Sequence, residues 1–133
     1  MEDRFAPRLQ EMLDSAVCHP EVTAGTLTRL HEFLRPYAEQ VIAENRQGFN
    51  RHVTLQGTTA RSGTREYQVE LAKRRAEVVK RLLVDLGVPG DLISTEGLGS
   101  YNDYYEPDNS STGHLLPGPA ARNRSVIVRL ICG

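Results

Sequence analysis

One arginine lies where an apolar residue is expected. Arg75 comes four residues after Leu71 and four before Val79, inside the apolar face of a predicted helix. Its guanidinium either reaches solvent at the rim of the core, with its stem packed on apolar neighbours, or meets an anion. In the second case the planar group holds a carboxylate with two parallel hydrogen bonds, which suits an acidic ligand.

A loop of small and polar residues precedes this helix. It has the sequence GTTARSG over 57–63, and Thr64 after it is a suitable N-cap. The first N–H groups of the helix, from Thr64 to Tyr67, have no partner within the helix and add positive partial charge near the loop. The loop and Arg75 together therefore predict a site for an acidic group.

The sequence carries no pattern typical of catalysis. It has no HExxH, P-loop, GxSxG or GxGxxG motif. The histidines, His19, His31, His52 and His114, lack the spacing of metal ligands, so rim or surface positions are expected for them. Cys18 precedes His19, but adjacent residues of a strand point to opposite faces and do not form a nucleophile–base pair. We expect a binding domain with no enzyme activity, metal or cofactor.

Composition is typical of a globular chain. The 133 residues are 39% hydrophobic and 25% charged, and the formal net charge of -1 gives no general attraction to nucleic acid. No run of about 18 apolar residues predicts a membrane span. The polar residues 1–10 do not resemble a signal peptide, so we expect either a cytoplasmic protein or a domain of a longer exported one. Cys18 and Cys132 are either two separate thiols or one disulfide.

Apolar periodicity predicts two long helices. The first covers 26–44 and contains Pro36, which should kink or split it. The second covers 64–86 and ends at Gly87 and Pro89. A short additional helix is expected over 3–15.

Four strands complete the predicted elements. The expected strands are 16–22, 52–56, 92–98 and 125–131. Alternating strands and helices indicate an α/β fold, a two-layer α/β sandwich in the order β-α-β-α-β-β with an extra N-terminal helix. The expected core consists of Val53, Leu55, Leu71, Val79, Leu82, Leu86, Val126 and Val128.

A long segment over 99–123 separates the last two predicted strands. It is rich in tyrosine and acidic residues, namely Tyr101, Asp103, Tyr104, Tyr105, Glu106 and Asp108. Such a cluster either supplies contact area for a protein partner or a sugar, or forms a mobile acidic loop.

The same residues carry a resemblance to a known family. From 53 to 128 the chain resembles OmpA-like domains, whose motifs are G-x-T-D-x-x-G, Y-N-x-x-L-S-x-x-R-A, G-[VI]-P, G-x-G and N-R-R-V. The matching segments are GTTARSG at 57–63, YQVELAKRRA at 67–76, GVP at 87–89, GLG at 97–99 and NRSV at 123–126. Matches in this order and spacing predict a single OmpA-like domain over 1–133.

The resemblance implies a function and a site. OmpA-like domains bind peptidoglycan through the diaminopimelate residue of its stem peptide. Arg75 matches the family arginine that takes a carboxylate, whereas Ala60 stands where the family has the aspartate that takes the ammonium. Gln68 replaces the family asparagine, and Ala72 replaces the serine. The implied ligand-binding residues are Thr59, Ala60, Gly63, Gln68, Arg75 and Arg124.

Two functions follow as expectations. The first is non-catalytic association with peptidoglycan in the cell envelope, next to the outer membrane, through a site that lacks the family aspartate. The second is a protein-interaction or scaffold module that kept the OmpA-like fold and lost peptidoglycan binding. In both cases the expected partner is peptidoglycan or a protein, without nucleic acid and without direct membrane insertion by this chain.

Overall fold

The fold is a mixed α/β arrangement. The structure is a computed structural model that describes residues 2–4, 24–103, 105–116, 118–119 and 123–132. Its elements in chain order are β1 Glu2–Arg4, α1 Ala24–Arg46, β2 Arg51–Thr58, α2 Arg65–Asp85, a 3₁₀ turn Gly90–Leu92, β3 Ile93–Gly99 and β4 Val126–Cys132. Within the described residues, neither α1 nor α2 has the apolar composition that a membrane-spanning helix needs over its length.

The sheet has the strand order β1-β4-β2-β3. β2 pairs in parallel with β3 and antiparallel with β4, so that Val53 lies beside Ile93 on one side and Leu130 on the other. β1 pairs antiparallel with β4 at the edge. Parallel neighbours require a crossover connection, and α2 provides it between β2 and β3.

The core lies between one face of the sheet and the two helices. Its buried members are Leu34, Ala38, Val41, Val53, Leu55, Ala76, Val79, Leu82, Leu83, Val88, Ile93, Val126, Val128 and Leu130. On the opposite face, Thr54 hydrogen-bonds Ser94 at 3.2 Å, and Gln56 Nε2 donates to Glu96 at 3.0 Å. One face of these strands is thus apolar and the other polar, and the predicted α/β sandwich is confirmed.

α2 faces the sheet differently from the prediction. Leu71, expected in the core, is half-buried and outside the core cluster, and Leu86 packs only at its edge. Ala72 and Ala76 are fully buried instead. The other predicted core residues are confirmed, namely Val53, Leu55, Val79, Leu82, Val126 and Val128. The prediction is wrong only at Leu71 and Leu86, because apolar periodicity favours large side chains where alanine meets the sheet.

Small residues lie at this contact because the helix and sheet backbones approach closely. A Cβ placed on Gly57 of β2 would lie 1.8 Å from the carbonyl oxygen of Ala72. A Cβ on Gly97 of β3 would lie 2.3 Å from the carbonyl oxygen of Val69. Both clashes are with backbone, which no rotamer change relieves, so glycine is required on both strands.

α1 is longer than predicted and is not split. It runs from Ala24 to Arg46 as one helix with Pro36 inside. Pro36 and Glu32 both lie on the exposed face, where solvent can satisfy the carbonyl that loses its donor. Leu34 and Ala38 are buried on either side of the proline, so tertiary packing holds the helix together.

The first described residues form a strand, where the sequence predicted the start of a helix. Residues 3 and 4 belong to β1, so the predicted helix over 3–15 is wrong at its start, because pairing with β4 fixes this segment as a strand. The rest of that helix, the predicted strand over 16–22 and Cys18 lie outside the described residues.

The close approach at Gly57 yields a stability prediction. Gly57→Ala should lower the free energy of unfolding by about 3 kcal/mol, at the upper end of the cost of overpacking, because Ala72 cannot retreat without moving α2. Gly90→Ala is the control, since its Cβ would meet only a Val84 methyl at an ordinary 3.7 Å. Urea unfolding of both variants measures the difference. Equal stabilities would show that the helix can shift away from the sheet.

Candidate ligand-binding site

The 57–63 loop is fixed at its start by the ends of β3 and β4. The Thr58 backbone N–H donates to the Ser125 carbonyl at 2.9 Å, and its hydroxyl donates to the Asn123 carbonyl at 2.6 Å. The next residue, Thr59, donates its N–H to the Gly99 carbonyl at 3.0 Å. The loop therefore leaves the sheet in one defined direction.

Arg75 lies beneath this loop. Its side chain is only 2% exposed, and Nη1 donates to the Thr58 carbonyl at 3.2 Å. The predicted orientation toward the loop is confirmed, and the alternative of a solvated head at the rim is wrong. An always-charged guanidinium in this position makes the underside of the loop positive.

Gln68 fixes the far end of the loop from the first turns of α2. Thr64 is the N-cap and accepts from the Tyr67 N–H at 3.1 Å, as predicted. One turn along, buried Gln68 donates to the Gly63 carbonyl at 3.1 Å and accepts from the Ser100 hydroxyl at 2.5 Å. Gly63 has φ +81, which favours glycine. Gln68 is therefore placed to hold loop geometry.

Thr59 and Ala60 form the middle of the loop, and both are buried. The Thr59 hydroxyl oxygen has no hydrogen-bond partner among the described residues. A buried hydroxyl of this kind is costly unless a ligand or solvent meets it, so Thr59 can contribute a polar contact to a ligand. Ala60 contributes no charge, and the site lacks a carboxylate at that position.

Arg124 lies at the same end of the sheet but less deeply. It is half-buried and follows Asn123, whose carbonyl accepts the hydrogen bond from the Thr58 hydroxyl. The structure thus brings together Thr59, Ala60, Gly63, Gln68 and Arg75 around one loop, with Arg124 at its edge. Their role in ligand binding stays a prediction.

Asp108 was not predicted as part of this region, although it is central to it. The residue is 0% exposed and accepts from the Arg61 backbone N–H at 2.8 Å and from Asn123 Nδ2 at 2.9 Å. Its other oxygen accepts from the Tyr105 hydroxyl at 2.8 Å and Asn109 Nδ2 at 3.0 Å. Two near neighbours in sequence and two distant donors, Arg61 and Asn123, thus converge on one carboxylate, which ties the residues around Asp108 to the 57–63 loop.

The titration of Asp108 reflects these bonds. Burial alone raises its pKa, but hydrogen bonds from Arg61, Asn123 and Tyr105 outweigh burial, so the pKa lies below the ordinary 3.8. Burial, and next the hydrogen bond to this carboxylate, raise the pKa of Tyr105 above 10.0. At neutral pH the pair is therefore a phenol donating to a carboxylate anion.

The tyrosine-rich segment is anchored around this pair. Asn123 also exchanges two hydrogen bonds with the backbone of Glu106, at 2.9 and 2.8 Å. These contacts tie Tyr105, Glu106 and Asp108 to Asn123 within the described part of the segment. Sequence reasoning included Asn123 in a motif but gave no signal for Asp108 beyond its place in a polar segment.

Comparison with known proteins identifies the family. The model of the OmpA family matches residues 29–114, well over half of the chain. The chain belongs to the OmpA family, and the resemblance predicted from its sequence motifs is confirmed.

Two characterised relatives match in part. A 74-residue stretch is 36% identical to the peptidoglycan-binding protein ArfA of Mycobacterium tuberculosis and covers 56% of this chain and 21% of that protein. A 58-residue stretch is 41% identical to the peptidoglycan-associated lipoprotein of Pseudomonas aeruginosa and covers 41% of this chain and 34% of that protein. The chain therefore matches about a fifth to a third of the length of these relatives.

Solved structures give the same fold. The peptidoglycan-associated lipoprotein from Burkholderia pseudomallei superposes with a TM-score of 0.61 at 27% identity, over 77% of this chain and 78% of that one. The C-terminal domain of Helicobacter pylori MotB superposes with a TM-score of 0.56 at 17% identity, over 83% and 74%. The second similarity concerns the fold alone.

The Asp108 contacts predict a pH-dependent contribution to stability. Asp108→Asn should lower the free energy of unfolding by about 2 kcal/mol at pH 7, because an amide nitrogen would face donors that now meet an acceptor. Since the folded-state pKa is depressed, the contribution is complete above the unfolded-state pKa and is lost as pH falls through the folded-state value. Urea unfolding between pH 3 and 7 measures it.

Asp103→Asn is the matched control for this experiment. Asp103 lies in the same segment but is exposed, so its substitution should change stability little at any pH. A similar loss in both variants would show that Asp108 has no special role in holding the loop.

Proposed function

We propose that this chain is a non-catalytic domain that binds peptidoglycan in the cell envelope, with residues 1–133 forming one OmpA-like unit. The main support is the position of Arg75 beneath the 57–63 loop, at the family motif that takes a carboxylate. The names of two relatives, a peptidoglycan-binding protein and a peptidoglycan-associated lipoprotein, support the same partner.

The proposed ligand is the stem peptide, through a carboxylate of its diaminopimelate residue. The carboxylate would approach the loop with the positive charge of Arg75 behind it, and the Thr59 hydroxyl would supply a further polar contact. Electrostatic attraction is stronger in such a partly desolvated place than at an open surface. Gln68 and Gly63 would keep the loop in the receiving conformation.

The ammonium of the same residue has no carboxylate partner at position 60. An ammonium left without its partner in a half-buried pocket loses about 2 kcal/mol, or roughly thirtyfold in affinity. We therefore propose weak binding of diaminopimelate by the wild-type chain.

A second candidate function rests on this same residue. Ala60 removes the charge that would hold the ligand ammonium, as expected for a protein-interaction module that kept the fold alone. A pull-down with purified sacculi separates the two proposals. Retention of the chain on sacculi supports peptidoglycan association, and no retention at low salt favours the interaction module.

Restoring the carboxylate should strengthen binding. Ala60→Asp should raise affinity for a diaminopimelate-containing muropeptide by about tenfold or more, since the ammonium regains a charge-assisted partner. The gain should shrink with added salt, because salt screens the attraction between the new carboxylate and the approaching ammonium. Titration calorimetry of wild type, Ala60→Asp, Arg75→Ala and the double variant completes a thermodynamic cycle.

Two controls make this test specific. Ser62→Asp places the same charge on an exposed residue of the same loop and should give little gain. The gain should also vanish in the Ala60→Asp, Arg75→Ala double variant, because one charge alone does not hold a zwitterionic group. If no folded variant binds the muropeptide, the interaction module replaces the peptidoglycan function.

A further inference from the structure

Two arginines and two tyrosines form an ordered stack beside the candidate site. The Arg61 guanidinium carbon lies 4.1 Å from the ring centroid of Tyr105 and 4.9 Å from that of Tyr101. The Arg65 guanidinium carbon lies 4.5 Å from the Tyr101 centroid. We call this group, Arg61, Arg65, Tyr101 and Tyr105, the arginine–tyrosine stack. Cation–π contacts of this kind fix the direction of long cationic side chains that would otherwise sample many rotamers.

Arg61 is held from several sides. Besides the ring contacts, Nε donates to the Ser100 hydroxyl at 3.0 Å and Nη2 to the Ser100 carbonyl at 3.3 Å. Its backbone N–H is bound by Asp108. The guanidinium is therefore preorganised, and a ligand would not have to order it on binding.

The stack carries two positive charges, and the buried carboxylate of Asp108 offsets part of the charge of Arg61. Both arginines are exposed, and neither forms an ion pair with a carboxylate within the part of the chain that the structure describes. Asp108 binds the backbone of Arg61, but it is buried and already accepts four hydrogen bonds. Two cations that contact one tyrosine ring repel each other, and an anion bound between or beside them would relieve that repulsion.

The ring contacts also restrict what the tyrosines can do. Tyr101 is 43% exposed, but two guanidinium groups contact its ring. Stacking of a sugar needs a free ring face, so the stack is better suited to bind an anion than a glycan. Ser100 takes Nε and Nη2 of Arg61, so Nη1 of Arg61 and the planar guanidinium of Arg65 are the groups that suit a carboxylate.

We propose that Arg61 and Arg65 form a second carboxylate-binding site next to the Arg75 site, and that it takes a further carboxylate of the same stem peptide. The proposal rests on the peptidoglycan function above for the identity of the ligand. It makes the preferred ligand a peptide with at least two carboxylates, and it assigns specificity to residues outside the family motif positions that hold diaminopimelate.

The spacing of the arginines fits a short peptide. Arg65 and Arg75 are ten residues apart on α2, which is about 15 Å along the helix axis. Arg75 contacts Thr58, and Arg61 comes three residues after Thr58. The Cα atoms of Thr58 and Arg61 are therefore at most about 11 Å apart. An extended peptide of three or four residues spans about 10–14 Å. One stem peptide of this length can therefore reach from the Arg75 site to Arg61, and Arg65 lies at the outer limit of that span. The second contact then forms at high effective concentration.

Arg65→Gln tests the proposal. Arg65 is exposed and its guanidinium contacts the ring of Tyr101, so the variant should keep the fold. Its affinity for a soluble stem tripeptide that contains diaminopimelate should fall about threefold to tenfold at low salt, and the difference should shrink with added salt. Titration calorimetry on the full chain measures the change.

Arg81→Gln is the matched control. Arg81 is an exposed arginine of the same helix, sixteen residues further on and away from the loop. The variant has the same change in net charge and should bind the tripeptide as wild type does. Equal losses in the two variants would show a general charge effect and would overturn the second site.

A second probe, triglutamate, separates the two levels of the proposal. If the tripeptide binds and Arg65→Gln has no effect, the second site is wrong and the peptidoglycan function stands. If triglutamate alone binds, and Arg65→Gln weakens it, the carboxylate site stands and the peptidoglycan function is wrong. If the wild-type chain binds neither probe, both proposals are wrong.

Discussion

The contact between α2 and the neighbouring strands β2 and β3 determines how the rest of this domain is arranged. The backbone of α2 lies so close to the sheet that Gly57 and Gly97 have no room for a side chain. Ala72 of α2 is fully buried at this contact. Arg75 comes three residues after Ala72, about one helical turn, and therefore lies on the same face of α2, toward the sheet. Its long side chain is therefore confined to the end of β2, where the Thr58 carbonyl receives it. The close approach thus explains why a cation lies beneath the loop.

A second constraint comes from the far end of the chain. The 57–63 loop is bound by Ser125 and Asn123 on one side and by Gln68 on the other, while Asp108 holds the backbone of Arg61. Most of these partners are more than 35 residues away in sequence. The loop conformation therefore depends on closure of the whole domain, and local sequence preferences contribute little to it.

The sequence predicted the elements well and the contacts between them less well. Periodicity located β2, α2, β3 and β4 to within a few residues, because Thr64 and Gly87 mark the helix ends and apolar residues alternate in the strands. It failed for the first half of the buried face of α2, where Ala72 meets glycine and gives no hydrophobic signal, although Val79 and Leu82 are buried as predicted. Pro36 does not split α1, since its local cost is offset by core contacts on both sides, whereas the alternative of a kink stays a prediction.

The candidate site shows the same division. Arg75 was found because a charge within an apolar stripe breaks a rule, whereas Asp108 breaks none: an acid in a polar segment is ordinary until the fold buries it. The arginine–tyrosine stack joins the 57–63 loop and the start of α2 to a segment some forty residues away, so no local pattern reveals it. Long-range convergence is what sequence periodicity does not encode.

Position 60 is separate from all of these constraints. None of the hydrogen bonds that hold the loop uses the side chain of Ala60, and the contacts of Thr58, Gln68 and Asp108 would be made equally with another small residue there. The residues that hold the conformation of the loop are therefore different from the residue proposed to select the charge of the ligand. Under the proposals above, a missing carboxylate at position 60 would leave the fold intact, and Arg61 of the loop and Arg65 of α2 would shift the charge of the site toward ligands richer in carboxylates. In the proposed site the OmpA fold would thus fix where a ligand meets the domain, while a few residues of the loop and of the start of α2 would set which charges the ligand must carry.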